Sequence, residues 1–242
     1  NDFIRGQGGN DVIRGGRGAD IIFGDTGNDE MFGEAGGDIV FGGADDDTLD
    51  GADGADIVFG DDGLVAYIDF DMAKADFNFT GSRIRFLGGD QLIGDGDIAL
   101  LGGYTGDGIA TSMDLIVTQP LASDGSDTII GGNGDDIVFG GGGLLDTIFG
   151  DYNPGAAVPF VGPRPSGKDI LIGDGGRIEL TGRRVDRAAA VSDALDGKDM
   201  VTGNDGGDYM FGGGNEDTLY GFLNAAGPAG DTQPLDGVSD ND

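Results

Sequence analysis

The chain has 242 residues with 45 acidic side chains against 13 basic ones, a formal net charge of −32. That balance excludes the basic stripe that phosphate backbones require, so nucleic acid is not an expected partner, and a compact fold needs cations to offset its self-repulsion. There is no cysteine and no histidine, which removes disulfides, thiolate or imidazole metal sites and most nucleophile–base pairs, and no apolar run reaches the ~18 residues of a membrane span. Apolar residues still make up 38%, too many for a disordered acidic chain.

The chain opens on NDFIR, the tail of a repeat whose aspartate is Asp2. Residues 6–59 then divide without a gap into GQGGNDVIR, GGRGADIIF, GDTGNDEMF, GEAGGDIVF, GGADDDTLD and GADGADIVF. Aspartate holds position six throughout: Asp11, Asp20, Asp29, Asp38, Asp47 and Asp56. Position eight is always apolar: Ile13, Ile22, Met31, Val40, Leu49 and Val58. The first six residues of each copy are turn formers, and the last three favour a short strand. A three-residue strand does not stand alone, so the copies are expected to stack as a solenoid with position eight inward. In Asp45, aspartate replaces the usual glycine of position four, a substitution the left-handed region tolerates. Stacking places the position-six aspartates in columns ~4.8 Å apart, where bare carboxylates repel. A hard divalent cation with loop carbonyls as further ligands removes the repulsion, and calcium suits such flexible all-oxygen sites.

Further copies follow. ASDGSDTII (122–130) supplies Asp127 and GGNGDDIVF (131–139) supplies Asp136. GGGGLLDTIF (140–149) is one residue too long, which distorts the loop that carries Asp146. SGKDILI offers Asp169, DGKDMVT offers Asp199, and GNDGGDYMF and GGGNEDTLY offer Asp208 and Asp217. LGGDQLIG, with Asp90, is a weaker match. The closing GVSDND starts another copy, as expected of a segment of a longer protein.

This pattern resembles the RTX (repeats-in-toxin) family of calcium-binding nonapeptides, GGxGxDxUx. The resemblance implies an all-β fold, a parallel β-roll (β-solenoid) of nonapeptide half-coils with inserted hairpins and loops. Calcium would lie between the loops of repeats n and n+2. It also implies type I secretion, calcium-dependent folding outside the cell and an extracellular or bacterial cell-surface location.

Between the repeats lie insertions. The expected organisation is a roll at 1–63, an insertion at 64–121 with a short repeat near 88–97, and a second run at 122–151. A Pro-rich insertion at 152–166, a single repeat at 167–176, an Arg-containing insertion at 177–195, a run at 196–221 and a final loop with the start of the next repeat at 222–242 complete it. In the first insertion DFNFTGSRIRF reads as a β-hairpin, with Phe77 and Phe79 facing Ile84 and Phe86, and DLIVTQPL (114–121) as another strand. The prolines of 152–168 predict a stiff, extended segment. RIEL at 177–180 is strand-like and AAAVSDAL suggests a short helix, while Arg177, Arg183, Arg184 and Arg187 form a cluster able to grip an acidic neighbour. The excursions follow Gly-Asp steps: GDDG at 60–63, GDYN at 150–153 and GDGG at 173–176.

Compared every 18 residues, positions seven and nine differ between the two faces. One face carries Ile21, Phe23, Ile39, Phe41, Ile57 and Phe59, and the other Val12, Arg14, Glu30, Phe32, Thr48 and Asp50. An apolar sheet face of this size is expected to be covered, by the chain's own insertions or by another copy or neighbouring module.

An enzyme is not expected: the chain has no GxSxG elbow and no HExxH helix, and its carboxylates repeat instead of forming one differentiated pair. The faint EF-hand start at 46–51 would place Ile57 where glutamate belongs. The expected function is a calcium-binding structural segment of a large secreted surface protein, an adhesin stalk, S-layer or filament building block. The interrupted array favours this over a calcium-dependent secretion and folding module attached to a toxin or hydrolase.

Overall fold

A computed structural model of the chain describes residues 1–68, 84–88, 113, 115–118, 123–152, 166–181, 184–191 and 195–221. Every regular element among them is a β-strand, and strands are numbered along the chain. One seven-stranded sheet contains, in spatial order, β1 (Phe3–Gly8), β3 (Ile21–Thr26), β5 (Ile39–Ala44), β7 (Ile57–Phe59), β12 (Ile137–Phe139), β14 (Ile170–Ile172) and β18 (Tyr209–Phe211). A second contains β2 (Val12–Arg17), β4 (Glu30–Ala35), β6 (Thr48–Asp53), β11 (Thr128–Asn133), β13 (Thr147–Phe149), β17 (Met200–Thr202) and β19 (Thr218–Tyr220).

All pairings within these two sheets are parallel. Ile21 pairs with Phe3 and with Ile39, so each coil contains two nonapeptides, one in each sheet. This is the parallel β-roll. Position eight points inward: Ile22, Met31, Leu49, Val58, Ile129, Val138, Ile148, Leu171 and Val201 share one core and are essentially inaccessible to water. Asp45 takes the left-handed conformation (φ 77°), as its place in the loop requires.

The roll is continuous across its interruptions. Ile57 of β7 pairs directly with Ile137 of β12, Thr147 of β13 with Met200 of β17, and Ile170 of β14 with Tyr209 of β18. Inserted segments leave the stack and return to the same coil.

What they build is a third sheet, antiparallel, in the order β16 (Arg184–Ala190), β15 (Gly176–Thr181), β10 (Leu115–Thr118), β8 (Gly63–Ile68) and β9 (Ile84–Gly88). It joins two insertions far apart in sequence, since β10 pairs β8 on one side and β15 on the other. The hydroxyl of Thr118 accepts from Gly176 N at 2.8 Å and strengthens that seam. Val65, Ile116 and Ile178 lie in register across the three strands. They pack, with Leu180, onto Phe23, Phe41, Phe59, Phe139 and Ile172 of the roll. The chain's own insertions therefore cover the apolar face, leaving Phe41 and Phe59 1% exposed. The middle of that face is buried within the chain, while Phe3 and Tyr209 at its two ends are exposed. Its phenylalanines stack along the roll axis, with ring centroids 4.8 Å apart for Phe23–Phe41, 4.7 Å for Phe41–Phe59 and 5.0 Å for Phe59–Phe139. On the other sheet the outer side stays partly wet, with Val12 exposed and the Arg14 guanidinium 4.2 Å over the Phe32 ring.

One expectation is corrected. Ala188, Ala189 and Ala190 are strand, not helix, because β16 pairs with β15 and turns Ala188 and Ala190 toward the apolar cluster. Tertiary packing outweighs the helix preference of alanine there. Of the proposed hairpin, Ile84–Gly88 forms β9 against β8, while Phe77 and Phe79 lie outside the described residues. So do residues 153–165, the short repeat near 88–97 apart from Gly88, and the loop at 222–242.

Replacing Phe41 by alanine removes a buried ring from the middle of the stack. It should lower stability in saturating calcium by about 3–5 kcal/mol, read from urea denaturation. A loss below about 1 kcal/mol would contradict the sealed interface between roll and insertion sheet.

Candidate metal centre: two columns of half-satisfied carboxylates

Each position-six aspartate uses its two oxygens differently. The Oδ1 atom accepts the backbone N–H of the aspartate one coil earlier. One ladder runs from Asp2 through Asp20, Asp38, Asp56, Asp136 and Asp169 to Asp208. The other runs from Asp11 through Asp29, Asp47, Asp127, Asp146 and Asp199 to Asp217. The interior links are short, 2.7 Å for Asp20–Asp38 and 2.8 Å for Asp56–Asp136. Asp90 lies outside the described residues. Asp146 keeps its place despite its longer loop, because the extra residue bulges outward and leaves Leu144 and Leu145 exposed.

At most of these aspartates the Oδ2 atom is left without a hydrogen-bond partner. The Oδ2 atoms of Asp11, Asp20, Asp29, Asp38, Asp47, Asp56, Asp127, Asp136, Asp169 and Asp199 are buried and unpaired. Such a group costs free energy unless something else satisfies it. Burial and neighbouring carboxylates raise the proton affinity accordingly. Desolvation, with like charges adding, pushes Asp47, Asp136 and Asp146 up to about 8 and Asp56 and Asp169 to about 7, while Asp127 is raised well above the usual range.

Glycine at position one opens the space beside these oxygens. A Cβ on Gly15 would stand 2.7 Å from the Gly33 carbonyl oxygen and 2.9 Å from Asp20 Oδ2. One on Gly33 would meet the Gly51 carbonyl oxygen at 2.7 Å and Asp38 Oδ2 at 2.6 Å. A backbone carbonyl from one coil and a carboxylate oxygen from the coil before it thus converge on a cradle that a side chain would fill. Hard oxygen donors, an unpaired buried charge and a cleared space fit calcium.

Three further buried aspartates lie outside the position-six pattern. Asp61, Asp151 and Asp174 occupy position two of the coils from which the chain departs, and each is 0–1% exposed. In ordinary coils position two takes the left-handed conformation, as in Gln7, Asp25, Glu34 and Ala52. Their signal was the Gly-Asp step before each excursion. Two members of the arginine cluster are engaged locally: Arg177 pairs with Glu179 at 2.9 Å and Arg184 with Asp186, while Arg187 stands opposite Glu179 in the β15–β16 register and Arg183 lies outside the described residues.

The fold and site define a class, a parallel β-roll of nonapeptide coils whose loops hold buried carboxylate columns beside converging carbonyls. The RTX calcium-binding nonapeptide repeat matches the chain in four copies, at residues 1–31, 32–63, 121–143 and 193–221. These blocks belong to the RTX family, and the ion of the repeats is calcium. No curated protein matches the chain. Both columns pass through 144–192, between the third and fourth blocks, where Asp146 and Asp169 keep their places. Among the described residues no helix is long and apolar enough to cross a membrane.

The raised carboxyls give calcium-free folding a definite pH dependence. Asp47, Asp136 and Asp146 ionise near 3.8 when unfolded and near 8 when folded. Across that window the unfolded chain binds fewer protons, so stability falls as pH rises from about 4 and levels off above about 8. In EGTA the folded fraction should be greater at about pH 5 than at about pH 8. In calcium the order reverses, because the ion displaces those protons. Urea titrations at both pH values check this, and a calcium-free stability that rises with pH would contradict it.

Proposed function

We propose that this chain is a calcium-folded structural segment of a large secreted or cell-surface protein, serving as a stalk, S-layer or filament building block. The observation that carries the reading is the unbroken roll. Both ladders and the position-eight core continue past every departure of the chain. A scaffold needs such uniformity along its axis. An active site needs two carboxylates whose surroundings set them apart within one pocket, so the chain is read as non-enzymatic.

The position-six aspartates are the metal ligands in this reading. Without calcium their crowded carboxylates oppose stacking, and the chain stays open and competent for export. The higher calcium outside the cell neutralises the columns and the coils close, with folding and metal binding as one event. Insertions add thickness to the roll and seal its apolar face, which makes a self-contained rod element. Assembly then falls to the exposed ends of that face, at Phe3 and Tyr209, and to other surfaces.

Far-UV circular dichroism with light scattering, first in EGTA and then with rising calcium, tests the proposal. The expected result is a cooperative transition from coil to β that calcium drives and magnesium does not. Asp38→Ala should shift the transition to higher calcium and make it less steep, since one buried step of the column loses its charge. A chain fully folded in EGTA, or an Asp38→Ala titration that overlays the parent, would overturn the metal-driven mechanism.

A further inference from the structure

The aspartates at the three exits are not explained by the repeat. At position two an ordinary loop accepts Gln, Gly, Glu or Ala, and in Asp25 the carboxylate is matched by Arg5, whose Nε lies 3.0 Å from Oδ2. At the exits the charges facing the position-two carboxylate are other carboxylates. Asp61 faces Asp127, Asp124 and Asp146. Asp151 faces Asp169, Asp208 and Asp205. Asp174 faces Asp199 and Asp196, and carboxylate oxygens of Asp174, Asp199 and Asp217 all lie within 4.8 Å of one another.

The order of aspartates recurs at each exit, and among the described residues the Asp174 exit is where the three carboxylates close to within 4.8 Å. The exit aspartate meets the position-six aspartate of its own coil (Asp127, Asp169 or Asp199). It also neighbours the position-six aspartate of the following coil (Asp146, Asp208 or Asp217). Part of its role is a clasp. Asp61 accepts from Gly125 N at 3.1 Å and Gly142 N at 2.9 Å, and Asp174 from Gly197 N and Gly214 N, both at 2.7 Å. These bonds tie the returning chain and the next loop to the exit. A carboxylate can accept both bonds, one on each oxygen, but it also adds a third buried negative charge beside two position-six aspartates. The unpaired oxygens mark what is missing. Asp151 Oδ1 and the Oδ2 atoms of Asp127, Asp169 and Asp199 are buried without a hydrogen-bond partner, in residues at most 2% exposed.

We propose that each exit is a three-carboxylate calcium site, in which Asp61, Asp151 or Asp174 joins the position-six aspartates of its own and the next coil. The inference rests on the calcium reading of the columns and adds ligands that the nonapeptide pattern does not contain. With one more negative ligand than an ordinary column step, the exit sites fill at lower calcium. Because the same aspartate holds the mouth of the insertion, filling them fixes the insertion bases before the remaining coils close.

The test is calorimetric titration of the whole chain with calcium alone, parent against Asp61→Asn/Asp151→Asn/Asp174→Asn. The parent should show a tight class of sites followed by a weaker one. In the variant the tight class should weaken on the order of tenfold or more, with the β spectrum retained at saturating calcium. Isotherms that superimpose would overturn the proposal and leave the exits as hydrogen-bonded clasps. Because asparagine also gives up one of the two acceptor oxygens of the clasp, a weakened isotherm is read together with anomalous scattering from calcium-grown crystals of the parent, which decides. An ion at roughly 2.3–2.6 Å from the Asp174 carboxylate supports the site, whereas ions confined to the columns and distant from Asp61, Asp151 and Asp174 overturn it. A parent that takes up no calcium would instead overturn the column reading itself, and this inference with it.

Discussion

The buried aspartate with one oxygen bonded and one oxygen unpaired is the constraint on which the rest of this structure depends. Its Oδ1 atom fixes the height and phase of the preceding coil through a backbone N–H, as in the 2.7 Å contact from Asp38 N to Asp56. Its Oδ2 atom turns the same side chain into a liability that only a proton or a cation removes. Register and ion binding are therefore carried by one residue type at one position. The turn glycines, which clear space beside Oδ2, and the short strands, which need stacking to persist, both follow from this arrangement.

A roll built in this way has a weakness on its sides. Triplets such as IVF place position eight in the core but leave positions seven and nine outside, where Ile39, Phe41, Ile57 and Phe59 would meet water. The chain meets this with strands drawn from two insertions whose roots the roll holds in line. The β10–β15 pairing brings residues about sixty positions apart into one sheet, and Val65, Ile116 and Ile178 close over the phenylalanine stack. Burial of that ladder contributes hydrophobic stabilisation of a kind that metal binding alone does not supply.

Much of this was legible in the sequence. A strict period of nine with aspartate at six and an apolar residue at eight determines the coil, the core and the columns, because each depends on spacing within a repeat and on stacking of like on like. The apolar outer face was legible for the same reason, from residues 18 apart. Its cover was not, since the choice between an insertion and a second copy depends on pairing between distant strands that no local pattern encodes. The alanines at 188–190 favour helix in isolation and become strand because β15 offers them an edge. The Gly-Asp steps were visible, but what Asp61, Asp151 and Asp174 touch depends on the loop of the following coil, which the sequence separates from them by a whole insertion.

Insertions of very different length are accommodated because the ladder counts coils and not residues. Asp47 bonds to Asp127 across eighty positions with the 2.8 Å geometry that links Asp11 to Asp29 across eighteen. The entropy of closing a longer loop grows slowly, about 0.6 kcal/mol for each doubling, while loss of phase would place a position-eight residue in water and an aspartate in the core. Errors in count are therefore expelled into the loop. The 140–149 repeat shows this on the smallest scale: its one surplus residue pushes Leu144 and Leu145 into solvent, and Asp146 stays in line. The large insertions apply the same rule, and all three depart after position two, ahead of the point where the aspartate resets the phase.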